Sequence, residues 1–166
     1  EAALKSYNYG SDGDLMRVLE YAKLAPDLIR IPEIVMSTPI FLVCRQTVDC
    51  ENALTPNTPV SMSNNSVVLR KWGEDNQLVL NAHTSTPHML QDFKNGDVNF
   101  MILGALDIKD NASLLSDSAY RSILNIPSYH YIHKRHAHLV DSISAALAEF
   151  KQTQEHRDLQ TRYWIK

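Results

Sequence analysis

Pro59-Val60-Ser61-Met62 leads into Ser63-Asn64-Asn65-Ser66 and then Val67 to Trp72, and the same grammar repeats as far as Leu103. Val60 to Met62 has strand character. The Ser/Asn cluster that follows supplies side chains that accept from the exposed N–H groups of a helix start, so a helix is expected over Val67–Trp72. Gln77-Leu78-Val79-Leu80-Asn81 is a second strand. Ser85 or Thr86 then caps a helix from Pro87 to Lys94, with Pro87 suited to the first turn because its missing N–H has no partner there anyway. Asn95-Gly96 stops that helix, and Val98 to Leu103 is an apolar run of buried-strand length. Strand–helix–strand–helix–strand over so short a span predicts an α/β lobe with parallel strands, covering residues 59–115.

On the N-terminal side, residues 2–7 have the pattern of a helix tail, and Tyr9-Gly10-Ser11-Asp12-Gly13 is turn chemistry. Asp14 to Leu19 is a short strand, and Glu20 to Ala25 is a helical turn ended by Pro26. Leu28-Ile29-Arg30-Ile31 alternates, and Pro32 permits only an edge or a bend after it. Pro39 to Arg45 is apolar enough for a strand buried on both faces. Beyond the central lobe, Ala112 to Ala119 is expected to be helical. Ile123 to Ile132 is a Tyr-rich strand, His133-Lys134-Arg135-His136 a basic turn, Leu139 to Lys151 a helix, and Leu159 to Lys166 a short aromatic helix. Residues 1–45 and 120–166 are thus expected to form a first lobe. The polar segments 46–58 and 116–119 are expected to be the crossovers.

Composition narrows the function. With 44% apolar and 21% charged residues the chain has what a folded globular domain needs. A net charge of −3 provides no field for nucleic acid, and no apolar run approaches the roughly 20 residues that span a bilayer. Neither nucleic-acid binding nor membrane insertion is expected. The chain starts at Glu1, which is read either as loss of a targeting segment or as part of a longer protein.

Cys44 and Cys50 are six positions apart. They form either a small disulfide loop in an oxidising compartment or two unrelated thiols, because spacing alone does not bring two Cα atoms within about 7 Å. His130, His133, His136 and His138 crowd one segment, but neither strand nor helix periodicity puts them on one face, so no metal is expected there. No nucleophile elbow, phosphate loop or dinucleotide fingerprint is present. The expectation is a protein without cofactor and without catalysis.

Several stretches, in order, resemble bacterial periplasmic solute-binding proteins of the amino-acid-binding type (type II, ABC-transporter family 3). They are Asp12-Gly13-Asp14-Leu15-Met16-Arg17-Val18, Pro39 to Arg45, Leu90 to Asn99, and the strand, basic turn and two helices from Ser122 to Lys166. The resemblance implies an α/β fold of two small lobes joined by two crossovers, a periplasmic location, and capture of a small solute such as an amino acid or organic acid between the lobes. The partner would be a membrane permease or sensor. Two departures stand out: the family's N-terminal portion has no counterpart before Glu1, and Leu103-Gly104-Ala105 stands where amino-acid binders carry an Asp. Asn99 likewise replaces the Asp of a "Val-Asp" step. They favour, as the other reading, a structural or protein-interaction module that keeps the fold and has lost the ligand.

The expected ligand residues are Arg17, Ser63, Asn64, Asn65, Ser66 and Gly104. A guanidinium grips a carboxylate through two parallel hydrogen bonds. The hydroxyls, amides and free N–H groups of a helix start hold an anion. Each also has a plainer role: Arg17 as a surface arginine and the Ser/Asn cluster as a helix cap.

Overall fold

The computed structural model describes residues 11–52, 54–63 and 66–163. The strands are β1 (Gly13–Arg17), β2 (Leu28–Arg45), β3 (Pro59–Ser63), β4 (Val79–His83), β5 (Phe100–Gly104) and β6 (Ser118–His133). The helices are α1 (Val67–Asp75), α2 (Thr86–Asn95), α3 (Ala105–Asp110), α4 (Val140–Phe150) and α5 (Gln154–Tyr163), with 3₁₀ turns at Leu19–Lys23 and Lys134–Leu139. The hydrogen-bonded strand order is β1-β6-β2-β5-β3-β4. The fold is mixed α/β, as the sequence predicts.

Two compact units emerge, one of residues 39–124 and one built from the chain on either side of it. The division falls inside β2 at Thr38/Pro39 and inside β6 at Leu124/Asn125, so both long strands contribute to both units. The polar segments 46–58 and 116–119 lie within the central unit. Backbone pairing explains this, since Ile40 to Cys44 bond antiparallel to β5, from Ile40 opposite Gly104 to Cys44 opposite Phe100.

In the central unit, β3 runs parallel to β4 from Pro59 opposite Val79 to Ser63 opposite His83, and parallel to β5 with Ser61 opposite Met101. The connecting helices start and stop at the residues whose chemistry marks them. Ser66 Oγ accepts from Leu69 N, and Ser85 Oγ accepts from His88 N. Gly96 closes α2 at φ 97°, a left-handed conformation that suits glycine, with its N–H donating to the carbonyls of Asp92 and Phe93. Among the described residues, one core cluster gathers Val43, Met89, Leu90, Phe93, Met101, Leu103, Ile108 and Leu115. Cys44 and Cys50 are joined in a disulfide with Cα atoms 5.6 Å apart.

The other unit pairs β1 antiparallel with β6, Gly13 opposite Ile132 and Arg17 opposite Tyr129. The register shifts between Asp14 and Arg17, where Met16 takes φ 59°, the mark of a bulge. Its core is a small cluster of Ala25, Leu28, Tyr129 and Tyr131, with the Tyr131 hydroxyl donating to the Val18 carbonyl at 3.1 Å. Ion pairs supplement it: Asp12 with Arg135 and His136 at 2.6 Å each, Asp27 with Lys134, and Glu33 with Lys151.

Three expectations need correction. The helix expected over Ala112–Ala119 is absent. It forms earlier, at Ala105–Asp110, and ends where the Asn111 side chain donates to the Asp107 carbonyl, after which residues 111–117 are turns. The Asn, Ser and Asp content of that stretch favours local backbone bonds over helix continuation. β6 begins at Ser118, five residues before the expected Ile123. β2 passes unbroken through Pro32, which is exposed on a stretch whose neighbours on β5 begin only at Ile40, so its missing donor breaks no bond to that strand. The expected helix tail at residues 2–7, part of the turn at Tyr9 and Gly10, and the final Trp164 to Lys166 lie outside the described residues.

Candidate functional site

The ends of β3, β4 and β5 define the site. Parallel strands point their carboxyl ends to one edge, and in open α/β sheets ligands gather there because the following helices begin there too. On that edge Ser63 ends β3, His83 ends β4 and Gly104 ends β5. Ser66 and Ser85 cap α1 and α2 directly after it, so the positive ends of two helix dipoles face the same side.

Ser63 is half-buried, and Ser66 spends its hydroxyl on the Leu69 N–H, so this serine caps the helix as the plainer reading has it. Asn64 and Asn65 lie outside the described residues. Gly104 is the residue before α3 and carries no side-chain cap. A carboxylate, Asp107, stands three positions after Gly104. Asp107, in the first turn of α3, accepts from the Gly104 N–H, and burial pushes its carboxyl above the usual range. The signal was available in the spacing, because a carboxylate three residues after a helix cap reaches back to the cap's own N–H.

Arg17 belongs to the other unit. Its Nε donates to Asp14 Oδ2 at 2.7 Å, and its guanidinium lies 5.3 Å from the centre of the Tyr21 ring. Its side chain is 44% exposed, and the pair is a local i,i+3 contact.

A cleft of about 280 Å³ does exist in the central unit, lined by Arg45, Thr47, Phe93, Lys94, Asp117 and Ser118 among others. It is at the opposite end of β5, where Arg45 N donates to the Asn99 carbonyl. That is the amino end of the strand, away from both helix starts. Arg45 is moreover occupied, donating from Nη1 to the Phe93 carbonyl at 3.0 Å. We therefore place the candidate site at the carboxyl edge.

Sequence reading also missed a trio on that edge. His83 Nδ1 lies 3.4 Å from Asp92 Oδ2, His83 Nε2 lies 3.0 Å from Ser61 Oγ, and the His83 and His88 rings are 5.8 Å apart. His88 and Asp92 are one helical turn apart on α2, a spacing that marks a shared face.

Two βαβ steps connected by capped helices, with antiparallel strands from both ends of the chain beside β5, define a class: this is a periplasmic-binding-protein-like α/β fold. Among solved structures, the chain is similar to the probable amino-acid ABC transporter extracellular-binding protein ytmK from Bacillus subtilis, at 18% identity over 98% of this chain and 74% of that one, TM-score 0.68. It is similar to the ancestral amino acid-binding protein AncCDT-1, a precursor of cyclohexadienyl dehydratase, at 12% identity over 99% of this chain and 73% of that one, TM-score 0.69. The BvgS periplasmic domain of B. pertussis aligns at 17% identity over 98% of this chain and 32% of that one, TM-score 0.72. No protein-family model matches the chain, and no curated protein sequence matches it. At these identities the likeness establishes the fold. Among the described residues, no helix is long and apolar enough to cross a membrane.

Proposed function

We propose that this chain is a bacterial periplasmic binding module that captures a small polar or anionic solute, an amino acid, organic acid or similar, and releases it unchanged to a membrane permease or a sensor. One observation carries the reading: the ends of three strands and the starts of two capped helices share one edge of the central unit. Such an edge offers N–H donors and partial positive charge to an anion. The transport role draws support from ytmK, named for an ABC transporter, and the periplasmic location from the BvgS domain. The AncCDT-1 name, which includes a dehydratase descendant, makes catalysis the property to test alongside binding.

Ser63 to Ser66 form the anion end of this proposed site and Asp107, in the first turn of α3, its cation-accepting end, while Arg17, in the other unit, is proposed separately as a carboxylate-binding residue. A thermal-shift screen with amino acids, organic acids and short peptides tests the reading. A ligand that binds only the folded state at a hundred times its Kd adds about 2.7 kcal/mol. Arg17→Ala should weaken binding of the hit by about 1.5–3 kcal/mol, the scale of a hydrogen bond to a charged group. Asp107→Asn should weaken amino acids and spare organic acids. The reading fails if no such solute moves the midpoint.

A ligand-free interaction module is the second reading, favoured by exposed Leu15, Met16, Leu19 and Leu24 within one short segment. A silent solute screen together with a partner that protects this segment from hydrogen exchange would establish it.

A further inference from the structure

We propose that His83, His88 and Asp92 form a binding site for a first-row divalent transition metal, zinc being the best fit. Their donor atoms all lie within 4.8 Å of one another. Tetrahedral zinc with ligand bonds of about 2.0–2.1 Å holds its donors roughly 3.3 Å apart. His83 Nδ1 and Asp92 Oδ2 already stand 3.4 Å apart, close to that edge length. His88 is the member that must move, and it is exposed on the first turn of α2 with room to rotate.

The second observation is behind the first ligand. A metal-bound histidine usually donates its other ring N–H to a fixed acceptor, which sets the tautomer and the ring orientation. His83 has that arrangement: its Nε2 lies 3.0 Å from the hydroxyl of Ser61, a residue only 1% exposed on the neighbouring strand. With Nε2–H donating to Ser61 Oγ, the Nδ1 lone pair faces Asp92. The strand positions one ligand, and one turn of helix α2 positions the other two.

Two imidazoles and one carboxylate exclude calcium and magnesium, which take oxygen ligands, and suit zinc, with nickel, cobalt and copper as competitors. Three protein ligands leave a fourth position for water or an anion. In the plainer alternative, His83 and Asp92 are a simple pair and His88 a bystander. That alternative gives His88 no role in metal uptake.

The test titrates the whole chain, stripped with chelator, with zinc alone by calorimetry, and with cobalt(II) by visible absorption. One equivalent should bind, and cobalt should show the intense bands of a low-coordinate imidazole–carboxylate centre. His88→Ala and Asp92→Asn should each lower zinc affinity tenfold or more, and Ser61→Ala should lower it about 10–100-fold, the usual effect of losing an outer partner. His88 is exposed, so its variant should keep the parent's metal-free melting midpoint. Absence of zinc uptake by the parent overturns the proposal. So does uptake that His88→Ala leaves at parental affinity, which would move the metal elsewhere, for example to the histidines of residues 133–138. Neither result bears on solute capture, which needs no metal.

Discussion

The central unit and the unit around it are stabilised by different means. Residues 39–124 enclose an apolar core drawn from two strands, two helices and the turn at Leu115, with several members wholly buried. The outer unit has four buried apolar residues in its cluster, and none of α4 is buried among the described residues. It relies instead on exposed ion pairs at Asp12 and Asp27 and a half-buried one between Glu33 and Lys151. Exposed pairs contribute little, typically about 0.2–1 kcal/mol each, and are screened by salt. One chain therefore holds a unit stabilised by packing beside one stabilised by many small polar contacts.

The strongest challenge to that contrast is a core truncation in each unit. Phe93→Ala, in the central core, should cost about 3–5 kcal/mol, whereas Leu28→Ala, in the smaller cluster, should cost about 2. Denaturant melts read by hydrogen exchange in each unit would measure both, and equal losses would erase the distinction.

Next comes the disulfide. Cys50→Ser opens a loop of six intervening steps, for which chain entropy gives about 2 kcal/mol. The loss should appear in the exchange rates of residues 39–124 and leave β1 protection unchanged.

Gly13→Ala tests the outer unit in isolation. A Cβ there would stand 2.4 Å from the Tyr131 carbonyl oxygen, a backbone atom that moves only if β1 and β6 separate. The cost should be about 1–2 kcal/mol, the lower part of the overpacking range, and confined to that unit.

The smallest effects follow pH. Burial lowers the His130 pKa, and its Nδ1 is enclosed without a partner. The unfolded chain takes up the proton near pH 6.5 while the folded chain resists it. Stability should therefore be intact above about 6.5 and fall as pH drops toward the folded value. His130→Gln should flatten that step. Asp12 is held below its ordinary value by hydrogen bonds from His136 and then Arg135, so its contribution is present above about pH 4 and lost on further acidification. Asp12→Asn should remove this lower step and leave the upper one.

How far the sequence could be read follows the same division. In the central unit, serines stand at the helix starts, Gly96 at a helix stop, and apolar runs between them. Each signal is local, so strands and helices could be placed within a few residues. α3 was displaced because Leu106, Ile108 and Leu114 permit a helix on either side of Asn111, and only the Asn111 cap decides. The outer unit depends on pairings between distant segments, such as Gly13 with Ile132, which leave no local mark. Of the candidate site, the helix starts were legible from the Ser/Asn cluster. Asp107 was legible only once the helix is placed at Ala105, which sets it three residues after the cap, and the His83–Asp92 contact was not, since it needs the end of a strand to meet the second turn of a helix.

The disulfide also bears on the protein's history. Cys44 is wholly buried and Cys50 nearly so, which leaves no approach for an attacking thiolate while the fold stays closed. Exchange then waits on opening of the central unit, and its rate is an unfolding rate. The bond consequently records the redox conditions in which the chain folded, and a folded molecule moved into a reducing solution should keep that record for as long as its core holds.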